Sequence, residues 1–582
     1  MKHFSLLMII TISILLTGCD KKSENEVVAR SSSNNAASAL ELPDTGTQSS
    51  TPPVNRPSTQ TPILDIVQED TSNEGTDTTQ NTTSTQNGSQ DNSSQNTQND
   101  TNTSTPTADT TPPVLTLKGD NPLYIKQNAP FTDPGITVTD DTDSNPQVSV
   151  ESNVSTASEG NYTITYSAID SAGNEANLTR TVVVSYQPFV LRVKTDNTGS
   201  SASNEFTVPV DTNYYYNYDI DCDSDGTPEA SGVSGSYTCV YAQPGIYRIT
   251  ISGTFPTIRF YQGNNLTDAS KVTEIIQWGS IIWKTMYGAF YKCDKMQLSA
   301  PDAPILYQVN SMRYMFGFAS TLNADMDTWD VSMVKDLSFM FRDAASFNGR
   351  LSSWDTHNVL DMSYMFYRAS SFDQPIGDWN TSRVQYMHNM FNSALLFNQP
   401  LQKWDTSRVL NMSGMFNNAQ RFNQPIGGWD MAYVTDTAYM FNGAQSFDQD
   451  IGDWNMSRVT TMRSMFNSAL AFNKSLAHWD TSRVTDMGYM FYNARSFDQD
   501  ISGWIVTSVA DMRNMFNNAQ SFDQNIGLWD TSNVSNMDRM FYNARAFLED
   551  LSAWNVSAVI SHTDFAKYAP LENAPTYLPN FP

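Results

Sequence analysis

The sequence predicts a mainly β chain with short helical turns, in which a disordered stalk and two β-sandwich domains precede a solenoid of 25-residue coils. Three observations predict it. Trp stands at 329, 354, 379, 404, 429, 454, 479, 504, 529 and 554, a fixed period without a slip. Alternating apolar runs bounded by turn residues fill residues 111–265. Between Thr71 and Thr111 there is no Val, Ile, Leu or Phe. The 582 residues carry 34 Lys and Arg against 61 Asp and Glu, a net charge of −27. That balance excludes nucleic acid as a partner held by clustered basic charge. Aromatics make up 12% of the chain, too many for a wholly disordered protein.

The N-terminus reads as a targeting segment. Met1-Lys2-His3 precedes an apolar run from Phe4 to Leu16, and Leu16-Thr17-Gly18-Cys19 follows. A basic start, a short apolar stretch and small residues make a secretory signal over 1–18, too short to span a bilayer comfortably. The ending resembles the bacterial lipobox. That resemblance implies cleavage before Cys19, lipidation of Cys19, and a membrane reached through this N-terminal lipid. Asp20 resembles an inner-membrane retention signal. The expected place is therefore the bacterial cell envelope: the cell surface or outer membrane, with the periplasmic face of the inner membrane as the alternative. Residues 19–110 are rich in Ser, Thr, Asn and Gln and cannot bury enough apolar area to offset ordering. They read as a tether with a typical span of roughly 50 Å by square-root scaling.

Residues 111–186 alternate as strands do, at Val114-Leu115-Thr116-Leu117, Tyr162-Thr163-Ile164-Thr165-Tyr166 and Thr181-Val182-Val183-Val184. Asp133-Pro134-Gly135 and Asp170-Ser171-Ala172-Gly173-Asn174 punctuate them. This pattern resembles bacterial Ig-like surface domains and implies a β-sandwich spacer. Residues 187–265 form a second β unit, opening at Phe189-Val190-Leu191-Arg192-Val193 and closing through Pro244-Gly245-Ile246-Tyr247. The closing stretch resembles PKD-like domains. Of four cysteines, Cys222 and Cys239 lie 17 apart in this unit of an exported chain and are the expected disulfide. Asp221, Asp223 and Asp225 alternate before Gly226. Gly232 at the twelfth position excludes an EF-hand. A looser Ca²⁺ loop stands beside the alternative of an acidic Gly turn between strands; no other cofactor is expected.

The repeat dominates residues 309–570. Val recurs from Val309 to Val559, Met-Phe pairs from Met315-Phe316 to Met540-Phe541, and Ala from Ala319 to Ala544. Strict spacing without insertions is what equivalent stacked coils require. From Val to Ala the apolar residues fall at helical or 3₁₀ spacing, and the stretch from the second Phe to Trp reads as a short strand. Trp beside fixed Val, Met and Phe reads as core, with a Trp ligand platform as the alternative. The unit resembles the repeat of BspA-like leucine-rich-repeat surface proteins, including the Mycoplasma-type variant of unknown function. The resemblance implies a leucine-rich-repeat-like solenoid and a role in adhesion or binding. Met286-Tyr287-Gly288-Ala289-Phe290 looks like a degenerate copy, which puts Cys293 in the slot of a buried small residue. Residues 266–308 are expected to cap the array and 571–582 to form a tail.

Non-core positions carry whatever function there is. Tyr364, Tyr367, Tyr439, Tyr489, Tyr492 and Tyr542 sit around the Met-Phe pair, and Arg383, Arg408, Arg458 and Arg483 precede the repeat Val. These are the expected ligand contacts, for an envelope or extracellular protein or glycan. The alternative for the arginines is a solvated face on which Asp336, Asp361, Asp436, Asp486 and Asp511 neutralise them. His357, His388, His478 and His562 occupy different repeat slots and form no catalytic pattern. The chain reads as non-catalytic and surface-binding; a spacer without a ligand comes second, and an enzyme third.

Overall fold

The structure, a computed structural model, describes residues 108–582. Cys19, Asp20 and most of the expected tether lie outside the described residues. What is described is mainly β with almost no helix: two 3₁₀ turns, Ala269–Lys271 and Pro570–Asn573, are the helical elements among the described residues.

The first unit is built from β1 (Val114–Leu117), β2 (Leu123–Lys126), β3 (Ile136–Thr139), β4 (Gln147–Ser152), β5 (Gly160–Ile169) and β6 (Glu175–Ser185). β1 pairs with β3, and a second sheet runs β2-β6-β5-β4. Alternation puts Ile164, Tyr166, Val182 and Val184 inside, against Leu115, Leu123 and Phe131. Arg180 is fully buried, and its guanidinium donates to the carbonyls of Lys118 (2.6 Å) and Gly135 (3.1 Å).

The second unit adds β7 (Phe189–Lys194), β8 (Glu205–Val208), β9 (Asn217–Asp221), β10 (Ala230–Val233), β11 (Tyr237–Val240), β12 (Ile246–Thr254), β13 (Val272–Gln277) and β14 (Gln297–Leu298). One sheet runs β10-β9-β12-β7-β13-β14, and β11 pairs with β8. The sheet therefore continues past residue 265, where the sequence places a separate cap. β13 supplies Val272 and Ile275 to the interior, and one continuous core runs from Phe189 to Leu571. Cys222, just after β9, is bonded to Cys239 in β11, with Cα atoms 5.8 Å apart. Cys293 is a buried free thiol, and burial pushes its pKa up, which suppresses the reactive thiolate.

Lys271 and Asp268 are both buried within this unit. The Lys271 ammonium donates to the Ser201 hydroxyl (2.7 Å) and to the carbonyls of Ser201, Ala202 and Glu205. Asp268 accepts from the Ser201 backbone N–H (2.9 Å) and the Thr207 N–H (2.7 Å). A Cβ on Gly199 would lie 2.3 Å from the Asp268 carboxylate, so only glycine fits there.

Each 25-residue unit then stacks on the next. Parallel bridges join Ser311 to Asp336, Asp336 to Asp361, and so on to Asn536 and Ser561. Between them, alternate residues donate in two directions. Leu337, Phe339, Phe341 and Asp343 donate to the carbonyls of Asp361, Ser363, Met365 and Tyr367 in the next unit, at 2.7–3.0 Å. Met340, Arg342 and Ala344 donate three residues back, to Leu337, Phe339 and Phe341. Phe339 (φ 59°) and Asp343 (φ 57°) are left-handed, and the same two slots are left-handed from Gly288 and Lys292 to Asp564 and Tyr568. Left-handed residues at the third position of successive turns end any helix before it starts. The Val-to-Ala stretch is therefore a chain of turns rather than helix or 3₁₀.

The expected short strand is not there either. Between the second Phe and Trp, backbone N–H groups are met by side chains: Asp373 N–H donates to Asn348 Oδ1 and Asn398 N–H to Asp373 Oδ1, both at 2.9 Å. Gln374 and Gln399 amides join the same acceptors. The ladder runs from Asn323 to Asp523, which accepts from Leu548 N–H at 3.0 Å. No unit follows, so Leu548 needs no oxygen.

Inside, Phe341 and Phe366 stack at 5.7 Å, Phe347 and Phe372 at 6.0 Å, and Trp454 and Trp479 at 6.4 Å. The Trp column is buried, and its indole N–H groups donate to backbone carbonyls of the preceding unit, as Trp454 does to Ile426 at 3.2 Å. Bonded indoles facing inward overturn the alternative of a Trp ligand platform.

Two outcomes follow for unfolding experiments. Trp454→Ala removes a stacked, bonded ring and should cost about 3–5 kcal/mol, read as a drop in the denaturant midpoint. For Asp268, burial raises the pKa, but Ser201, Thr207 and Lys271 overcome it and hold the carboxyl below the usual range. Its stabilisation is therefore present above the unfolded pKa near 4 and lost as pH falls through the folded value. Asp268→Asn should lower the urea midpoint at pH 7, and the gap to wild type should shrink as pH falls below about 4.

Candidate functional site

The candidate face follows from the backbone. The left-handed slot five residues after each repeat Val points its side chain away from the Phe and Trp columns, beside slots two, four, eight and nine. Asp at the second slot is spent on its own turn: Asp336 Oδ1 accepts from Ser338 N–H (2.9 Å), Asp361 from Ser363 (2.8 Å), Asp436 from Ala438 (2.9 Å), Asp486 from Gly488 (2.8 Å) and Asp511 from Arg513 (3.0 Å). These carboxylates do not neutralise the expected arginine stripe. Arg383 donates to Asn358 Oδ1 at 2.8 Å, and Arg458 lies 4.5 Å over the Tyr433 ring, each within its own column. Arg408 and Arg483 are exposed.

The six expected tyrosines fall into three groups rather than one patch. At the N-terminal end Tyr364 is half-buried and stacks on Phe339 at 4.5 Å, with His388 edge-on at 5.2 Å. Tyr367 lies beneath Arg342 (5.3 Å) and Arg368 (5.2 Å). Burial pushes the Tyr364 hydroxyl up and the His388 imidazole down from their ordinary ranges, so both are neutral at pH 7. In the middle, Arg463 gathers Tyr439, whose hydroxyl accepts from its Nε at 3.3 Å, and Tyr489, whose ring lies 5.1 Å away. Arg463 also meets Asp486 (3.4 Å) and Asp511 (3.5 Å), and Tyr492 flanks Tyr489 at 5.9 Å. At the C-terminal end Tyr542 meets Tyr568 edge-on at 5.2 Å and, with Arg545 and Glu572, lines an open pocket of about 710 Å³.

The sequence reading missed the residues that complete the first group. Tyr314 stacks on Phe339 at 4.5 Å and on Tyr261 at 5.3 Å, giving a four-ring ladder of Tyr261, Tyr314, Phe339 and Tyr364. Arg313 lies 4.5 Å over Phe339. Aromatic residues at the same slot in three successive units were a readable signal; the arginines leave the columns and were not.

The carboxylate oxygens of Asp221, Asp223 and Asp225 converge to within 4.8 Å of one another, as do those of Asp109, Asp140 and Asp141. Asp221 also closes its own turn, accepting from Ser224 N–H (2.6 Å) and Gly226 N–H (2.9 Å). Its carboxylate is thus bonded to the backbone of the turn. Adding EDTA should leave the melting temperature of the protein unchanged, and a Ca²⁺-dependent rise lost in Asp223→Asn would show that the loop takes the ion.

No helix of the described residues is long and apolar enough to cross a membrane. Residues 115–184 match the family described as bacterial surface protein, Ig-like domain. No curated protein matches the chain. A solved structure of the CBM51-2 and INT domains of Clostridium perfringens ZmpB, in complex with GlcNAc, is 17% identical over 26% of this chain and 45% of that one. Its TM-score of 0.12 carries no argument. Overlapping matches at 284–401, 374–478 and 470–576 together cover half of the 582 residues, and the chain belongs to the family described as Mycoplasma protein of unknown function, DUF285.

Proposed function

We propose that this is a lipid-anchored protein of the bacterial cell envelope that presents a leucine-rich-repeat-like solenoid for adhesion, binding a protein or glycan without catalysis. The observation that carries the reading is the contrast between the inside and the outside of the repeats. Val, Met, Phe, Ala and Trp recur at fixed slots and are buried, while aromatic and basic residues at the outward slots change from unit to unit. A scaffold requires the first; the second varies independently of it. The Ig-like domain and the Ser- and Thr-rich segment after Cys19 support a reading in which the repeats are held away from a membrane. The lipobox-like ending at Cys19 supports the anchor, and the closing stretch of the second β unit supports a PKD-like spacer.

Two measurements test this. Cys19→Ser should move the protein from the membrane to the soluble fraction and abolish lipid labelling; retention without lipid in both forms would refute the anchor. Tyr489→Ala, at a half-buried outward slot, should leave the melting temperature within about 2 °C of wild type, since surface substitutions cost little. On a glycan and protein array the same variant should lose binding if the Arg463 group is the contact.

A further inference from the structure

The aromatic ladder at the N-terminal end of the repeats is not something the fold demands. Tyr314, Phe339 and Tyr364 stand at φ 56°, 59° and 56°, a conformation unfavourable for bulky side chains. Later units fill the same slot with Asn389, Gly414, Ser464 and Asn514. Gly and Asn tolerate left-handed backbone and fold into the same turn with the same hydrogen bonds, as Gly414 N–H to Ala438 O at 2.8 Å shows. Three consecutive aromatic residues there store strain that the units of Asn389, Gly414, Ser464 and Asn514 avoid, while Tyr439 and Tyr489 carry it singly further along, and such strain points to use.

The arrangement restricts what the ladder takes. Tyr261, Tyr314, Phe339 and Tyr364 cover one another's faces at 4.5–5.3 Å. Cations flank the rings as well: Arg313 lies 4.5 Å from the Phe339 centroid, and Arg342 and Arg368 lie over Tyr367 at 5.3 and 5.2 Å. A neutral sugar stacks on an open ring face, as does an unpaired nucleobase, and here the faces are taken. A protein interface needs protruding apolar anchors, yet the ladder rings are all half-buried. What remains outward is ring edges, which carry the positive end of the quadrupole, and guanidinium groups. Asp343 accounts for one carboxylate between Arg342 (3.2 Å) and Arg368 (3.5 Å). Arg313 and the exposed Lys292 make no ion pair among the described residues. Lys292, Arg313, Arg342 and Arg368 come from four consecutive units, so the cations are strung along the stack rather than clustered at a point.

The geometry points to a binding strip for a linear polyanionic glycan, one carrying sulfate or uronate groups at intervals, laid along Tyr314, Phe339 and Tyr364 and held by Arg313, Arg342 and Arg368. This rests on the surface-binding reading above and names its ligand class. Positive edges and guanidinium groups favour an anion over an uncharged ligand, with Lys292, Arg313, Arg342 and Arg368 set against Asp336, Asp343 and Asp361 on the same face.

The test pairs dextran sulfate with dextran, which share a backbone and differ in charge, on full-length protein at 0.15 M salt. Dextran sulfate should bind and dextran should not, and affinity should fall steeply with added salt. The triple variant Arg313→Gln, Arg342→Gln, Arg368→Gln should weaken binding at least tenfold. The variant Tyr314→Asn, Phe339→Gly, Tyr364→Asn, borrowing residues the later units use, should also weaken it at least tenfold while its melting temperature holds or rises. Equal binding of dextran, or undiminished binding of dextran sulfate by the arginine variant, overturns the strip. A wild-type chain that ignores dextran sulfate yet captures an array ligand through Tyr489 overturns the strip and leaves the surface-binding reading standing. Silence toward dextran sulfate and the whole array ends both.

Discussion

Everything in the repeats depends on one alternation along the backbone. Along the repeats the third, fifth, seventh and ninth residues after Val donate forward to the next unit, the sixth and eighth donate three back, and the fourth donates to the side chain at the second. The left-handed fifth and ninth positions make that alternation possible. Because forward donors and local donors interleave at single-residue spacing, one inserted residue would exchange their directions. It would also turn Met and Phe outward. The strict 25-residue period is thus a consequence of hydrogen-bond direction as much as of packing.

Much of this was legible. The buried columns could be read from Trp, Val, Met, Phe and Ala alone, because a slot that never tolerates a polar residue across ten units has only one explanation. The local conformation was not. Apolar residues at zero, three, six, seven and ten satisfy helical spacing, and the residues that forbid the helix, Phe339, Tyr364 and Tyr439 among them, are poor left-handed formers. Tertiary stacking overrides their preference, and no local rule would have placed them there.

The candidate face was read less well, again for a physical reason. A search by column finds residues that align, such as Arg383 and Arg408. Contact on this face runs diagonally: Arg342, eight after its Val, touches Phe318, Phe339 and Tyr367 from three different units and three different slots. Long side chains reach across units, so function collects where columns are crossed. The second β unit was misjudged at its edge for a related reason. β13 joins its sheet by pairing with β7 about 80 residues earlier, as Glu274 does with Arg192, and periodicity carries no information about such a partner.

The uniform direction of the forward bonds gives the stack two chemically different ends. The first unit presents carbonyls backward, and Phe260 and Tyr261 N–H groups fill those of Ala289 and Gly288 at 3.3 and 3.0 Å. The last presents N–H groups forward, and Glu572 closes one of them at Tyr568, 2.8 Å away, before Pro575, Pro579 and Pro582. Two copies meeting tail to tail would set donor against donor, and head-to-tail joining finds the acceptors already occupied. End-to-end growth through these backbone groups is closed off. Reach is then a property written in the gene, adjusted by whole units between fixed ends.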